Sequence, residues 1–134
     1  MTTVWVDTNV VLRFLTRTPL PLYERAAALM RRAADGEVLL HVTPVVVAEV
    51  AAVLHHSLGL ALPEVADALR RFVTARGVEA EAEERVLQAL ERSGRLKVDF
   101  VDAYLCGLAM AAGAPIASFD ADFPKRLGAE GYPL

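Results

Sequence analysis

Short apolar stretches, each cut off by turn-forming residues and separated by helical patterns, constrain this chain more than any other feature. Val4-Trp5-Val6, Val38-Leu39-Leu40-His41-Val42, Gly77-Val78-Glu79 and Pro115-Ile116-Ala117-Ser118 read as strands. Val4 to Val6 is apolar on both faces, the pattern of a central strand in a parallel sheet covered on both sides. Parallel neighbours need long crossovers, and the intervening segments are helical. The alternation predicts an α/β fold: a three-layer α/β/α sandwich around a central parallel sheet of four or five short strands.

The helices are punctuated by proline and glycine. Val10 to Arg17 predicts a short helix stopped by Thr18-Pro19-Leu20-Pro21. Pro21 opens a second, with Leu22, Ala26, Leu29, Met30 and Ala33 on one face and Gly36 at its end. Thr43-Pro44 is an N-cap followed by proline, and that helix runs to about Leu58, before Gly59. Pro63 opens a fourth, with Val65, Ala68, Leu69, Phe72 and Val73 inward. Ala82 to Ser93 is amphipathic around Val86, Ala89 and Leu90 and ends at Gly94. Another starts at Asp99 or Phe100 and reaches Ala112-Gly113, and a brief one covers Pro124 to Leu127. With 134 residues and neither repeats nor linkers, a single domain over residues 1–134 is expected.

Composition excludes several classes. A hydrophobic content of 54% excludes disorder, and a mean hydropathy of +0.35 leaves apolar surface for a partner. A net charge of −3 provides no basic footprint for a simple DNA-binding module, yet allows an enzyme that holds a phosphodiester through metal ions. The single cysteine, Cys106, excludes an internal disulfide framework and fits a reducing cytoplasm. Met1-Thr2-Thr3 has no basic n-region, and the apolar run Val45 to Leu54 is short and interrupted by Glu49. Neither a signal peptide nor a membrane span is expected.

Acidic residues stand at informative places. Asp7-Thr8-Asn9 ends the first strand, where open α/β sheets bind ligands, although Asp7 taken alone reads first as the cap of the next helix. Glu49 lies in a helix apolar nearly all round, so its carboxylate calls for an arginine partner or a cation. Asp99 and Asp102 have capping-box spacing at a helix start, and Asp102 precedes a small, apolar helix. Asp120 and Asp122 follow the last strand and read separately as turn residues. Four carboxylates converging in one cleft repel one another, and a divalent cation is the common remedy. Oxygen donors without Cys or His companions suit Mg²⁺ or Mn²⁺ rather than zinc. His55 and His56 are adjacent on a helix, where their rings diverge by about a quarter-turn or more and cannot chelate one ion from one face. His41 reads as a strand-end residue and Cys106 as a core filler. Arg13, Arg17, Lys97, Lys125 and Arg126 read either as a phosphate track or as solvated surface.

Val6-Asp7-Thr8-Asn9-Val10-Val11-Leu12, Glu49 in its apolar helix, Asp102-Ala103-Tyr104-Leu105 with Ala109, and Ser118-Phe119-Asp120-Ala121-Asp122-Phe123 follow one another in an order that resembles a PIN domain. Within that family the chain is similar to VapC-type toxin ribonucleases, and the resemblance covers nearly all of it. It implies an acidic quartet of Asp7, Glu49, Asp102 and Asp120 that is both catalytic and metal-binding. Thr8, Asn9 and Ser118 would support it, with Asp99 and Asp122 as further auxiliary candidates. The implied chemistry is Mg²⁺- or Mn²⁺-dependent hydrolysis of single-stranded or loop RNA. A homodimer and a cognate antitoxin that blocks the cleft are implied as partners. Two other readings stay open: a haloacid-dehalogenase-like phosphatase, whose second Asp is Asn9 here, and a PIN-like interaction module that does not cleave.

Overall fold

The computed structural model describes residues 1–134. Strand β1 (Thr2–Trp5) leads into helices α1 (Thr8–Thr16) and α2 (Leu20–Ala34), and β2 (Val38–Val42) leads into α3 (Pro44–Ala52). A π-helical turn, Val53–Ser57, continues α3, and α4 (Leu62–Val73) and β3 (Val78–Ala80) follow. Then come α5 (Glu83–Leu96), α6 (Phe100–Ala111), β4 (Ile116–Ala117), α7 (Asp122–Arg126) and β5 (Gly131–Tyr132). All strand pairing is parallel, and helices flank a three-stranded sheet in the order β1-β2-β3, the α/β architecture that the strand–helix alternation predicts. No helix is long and apolar enough to cross a membrane.

The sheet departs from expectation in two respects. The central strand is β2, which pairs on both sides and buries Val38, Leu40 and Val42. β1 lies at the edge of this ladder, with Thr2, Thr3 and Trp5 exposed, so the apolar run Val4 to Val6 does not make it central. The strands also divide into two ladders, because β4 pairs with β5 and not with β1. β4 has only two residues: Pro115 precedes it without an N–H to donate, and beyond it the Ser118 hydroxyl takes the Asp120 N–H at 3.0 Å.

One hydrophobic cluster of 25 buried residues joins the layers. Val65, Leu69, Phe72 and Val73 of α4 meet Val86, Ala89 and Leu90 of α5, the faces expected from helical periodicity. α5 does not stop at Gly94. It continues to Leu96 and ends on Lys97, whose left-handed backbone (φ 55°) lets its N–H reach the Ser93 carbonyl. Gly94 serves packing instead: a Cβ there would stand 3.1 Å from Cβ of Ala66 on α4. Gly77, at φ +83°, is fixed twice over, since a Cβ would also overlap the Ala33 carbonyl at the end of α2.

Gly36 has a similar φ of +80° but open space where a Cβ would lie. The two glycines therefore separate backbone strain from steric overlap. Gly36→Ala should cost about 1 kcal/mol from the left-handed backbone alone. Gly77→Ala should cost at least about 2 kcal/mol, because overpacking against a carbonyl adds to the same strain. Urea midpoints at unchanged m-value measure both, and equal losses would remove the close-approach argument.

Candidate functional site

The parallel register of β1 and β2 pairs Trp5 with His41, and the Val6 N–H donates to the His41 carbonyl at 3.1 Å. Both strands thus end at the same edge, where α1 and α3 begin. Asp7 caps α1: its Oδ1 accepts from the Asn9 N–H at 3.0 Å and from the Val10 N–H at 3.2 Å. The capping reading is realised, yet it occupies one oxygen only, and the side chain stays exposed with Oδ2 available. Thr8 and Asn9 form the first turn of α1, Asn9 being exposed.

Glu49 differs from expectation. It is exposed, because α3 turns Val47, Val50 and Ala51 inward and leaves Glu49 on the outer side with Val45, itself 67% exposed. No arginine pairs with it. A helix can be apolar nearly all round without being buried all round, so burial gives no reason for an acid here.

Asp99, Asp102 and Asp120 form a second group. Asp99 occupies the N-cap position of α6 but makes no capping hydrogen bond; its Oδ2 accepts instead from His56 Nε2 at 3.2 Å. The expected capping box is therefore absent. Asp102, half-buried in the first turn of α6, has its carboxyl held above the ordinary carboxylate range by burial, then by the Asp99 and Asp120 charges. Asp120 is exposed, and its Oδ1 accepts from the Asp122 N–H at 3.0 Å, a local turn. Asp122 is exposed at the start of α7. Asp7 and Asp120 follow strands of different ladders rather than one sheet, and neither Asp7 nor Glu49 shares a hydrogen bond with the Asp102 group.

The donor set suits a hard divalent cation: carboxylate oxygens, with Asp102 held towards its protonated form by burial first and by the Asp99 and Asp120 charges second. Three of the basic residues make local contacts. Arg13 donates to the Thr18 carbonyl at 3.4 Å, Arg17 lies over the Tyr23 ring at 6.0 Å, and Arg126 donates to the Leu96 carbonyl. Cys106 is fully buried, and burial raises its thiol pKa, which fits the core-filler reading. His41 Nδ1–H donates to the Glu79 carboxylate at 2.9 Å, across to β3, and its ring lies 4.1 Å from that of Trp5, tilted by 39°.

His55 and His56 converge, against the expectation from helical periodicity. His55 and His56 lie in the π-helical turn, with ring centroids 4.7 Å apart and planes at 66°. Together with Asp99 they offer three ligand atoms all within 4.8 Å of one another. Side chains that leave the backbone a quarter-turn apart can still bring their rings together through their own torsions, and no residue type in this stretch signals the π-turn.

The raised pKa of Asp102 has a measurable consequence. A carboxyl that holds its proton more tightly in the folded state stabilises the fold below its unfolded pKa, and that contribution is lost as pH rises through the folded pKa. At neutral pH, in chelator, the ionised group is a net cost, so Asp102→Asn should melt at or above the wild-type temperature. The difference should close as pH falls into the carboxylate range. A variant that melts several degrees lower throughout would make Asp102 a structural cap, worth about 1 kcal/mol.

The family model of the PIN domain matches residues 4–127, from β1 to the residue after α7. No curated protein matches the chain. PIN domains are generally metal-dependent nucleases acting on nucleic acid, and typically bind divalent cations. The match takes in Asp7, Glu49, Asp102 and Asp120 and nearly every element of the fold, and the chain therefore belongs to the PIN domain family.

Proposed function

We propose that this PIN domain is an Mg²⁺- or Mn²⁺-dependent endoribonuclease hydrolysing single-stranded or loop RNA, and the toxin of a type II toxin–antitoxin pair of VapC type. The observation that carries the reading is the placement of Asp102, half-buried in the first turn of α6 and facing the Asp99 and Asp120 charges. Residues 1–134 act in it as one PIN-like unit around one core. The proposed ligand and catalytic set is Asp7, Glu49, Asp102 and Asp120. Bound there, a cation would supply Lewis acidity, acidifying water and offsetting charge on the leaving oxygen.

The protein's own groups prepare that chemistry. Capping leaves Asp7 one uncommitted oxygen and fixes the other against the start of α1. Ser118 and the Asp122 N–H hold the Asp120 turn, so that its second oxygen points free of local bonds. Thr8 and Asn9 open α1, whose N-terminal dipole favours a phosphate oxygen. The phosphatase reading loses support, because Asn9 replaces its second Asp and the chain matches a nuclease-type domain over residues 4–127.

Two surfaces support the partner assignments. A cavity of about 380 Å³ between α1 and α2 is lined by Val10, Leu22, Ala26 and Leu29, with Arg13 and Arg25 among its polar lining. An amphipathic antitoxin segment with acidic side chains suits such a groove. On α6, Val101, Leu105 and Leu108 are 55%, 47% and 43% exposed at helical spacing, an apolar stripe suited to a second copy of the chain.

Incubating pure protein with assorted RNAs and Mg²⁺, then mapping product ends, tests the activity. Cleavage within unpaired segments is expected, and Asp102→Asn and Asp120→Asn should each lower the rate at least about 100-fold, the scale of several kcal/mol of lost charge stabilisation. Intact RNA at saturating Mg²⁺ and Mn²⁺ would leave the domain as an interaction module. Mg²⁺ at about ten times its dissociation constant should also stabilise wild type by about 1.4 kcal/mol, a gain the same variants largely lose.

A further inference from the structure

A second cation site lies outside the acidic quartet. We propose that His55, His56 and Asp99 bind a late first-row divalent ion of the Zn²⁺ class. The three residues come from the π-helical turn after α3 and from the start of α6, and they line a cavity of about 60 Å³. Their ligand atoms lie within 4.8 Å of one another, and the His56 Nε2 to Asp99 Oδ2 separation is 3.2 Å. Ligands at about 2.0–2.1 Å around a tetrahedral ion stand about 3.3 Å apart, so this pair already has the spacing of two adjacent ligands.

The protonation chemistry favours imidazole ligation. His55 Nδ1 lies 2.7 Å from the Leu60 carbonyl, which can only accept, so Nδ1 carries the proton. That leaves Nε2 of the neutral ring with its lone pair free, the arrangement in which a backbone carbonyl orients a metal-binding histidine. His56 now donates its Nε2 proton to Asp99. When an ion binds, the neutral ring takes its Nδ1–H tautomer, and Nε2 and the Asp99 oxygen both turn to the cation. Two imidazoles and one carboxylate select Zn²⁺, Co²⁺ or Ni²⁺ over Mg²⁺, and three protein ligands leave a position open for water.

Two features of the backbone support a built site. The Leu58 N–H reaches back to the Val53 carbonyl at 3.0 Å, the i to i+5 bond of the π-turn that carries His55 and His56, and π-turns recur at functional sites. Asp99 forgoes the capping bond its position offers and faces His56 instead. Ala48, Ala51 and Ala52 line the cavity with small apolar side chains, leaving room beside the ligands.

The site does not depend on the acidic quartet holding Mg²⁺, and the experiment keeps the two apart. Tag-free, chelator-stripped protein is titrated with Co²⁺ in excess Mg²⁺, and its visible ligand-field absorption is followed. One equivalent of Co²⁺ should bind with absorption characteristic of nitrogen ligands, and Zn²⁺ should displace it. His56→Ala and Asp99→Asn replace largely exposed side chains, 59% and 45% accessible, so circular dichroism should show both folded. Each should weaken Co²⁺ at least about 10-fold, whereas Asp120→Asn should leave it unchanged. Unchanged affinity in the two site variants, absence of Co²⁺ binding, or loss of the spectrum in Asp120→Asn would overturn the proposal.

Discussion

The parallel pairing of β1 with β2 is the constraint on which the rest depends. Because Trp5 stands opposite His41, the two strands run out together, and the chain must turn into α1 and α3 at one edge. Each turn is closed by a side-chain cap, Asp7 on α1 and Thr43 on α3, the latter accepting from the Val46 N–H at 3.3 Å. Two helix N-termini therefore meet the same edge as the Asp7 carboxylate. Such an edge can attract a phosphate through backbone dipoles and a cation through carboxylates at once, the pair of charges that phosphodiester hydrolysis must hold.

The start of α6 poses a second electrostatic problem. Asp99 and Asp102 lie one helical turn apart, with Asp120 within range of Asp102, and no arginine or lysine pairs with any of them. The protein handles the two carboxylates differently. Asp99 leans on His56 across the gap to the π-helical turn, while Asp102 remains half-buried with its pKa raised. Neither arrangement serves stability as well as a simple cap would. Local sacrifices of this kind concentrate where a chain binds or reacts, which is the physical ground for reading this end of the fold as functional.

Different parts of the fold were legible to different degrees. The amphipathic faces of α4 and α5 were readable because Val65, Leu69, Phe72, Val86 and Leu90 repeat at the helical period, and burial follows that period directly. Helix starts at Pro44 and near Pro21 and Pro63 were readable because proline tolerates the first turn and little else of a helix. Gly94 misled because glycine serves two ends, stopping a helix or admitting a neighbour, and only the approach of Ala66 distinguishes them. Glu49 misled because hydropathy along a helix does not say which side another layer covers.

By itself, then, the sequence determined the alternation of strands and helices, the inward faces of α4 and α5, and membership of the PIN domain family. These follow from local geometry and residue spacing, which the chain carries wherever it goes. Tertiary structure alone decided that β2 is central, that β4 and β5 pair apart from β1, and that Asp99 turns from its helix toward His56. Those outcomes depend on contacts between residues far apart in the chain, 43 positions in the case of His56 and Asp99, and no local preference encodes them.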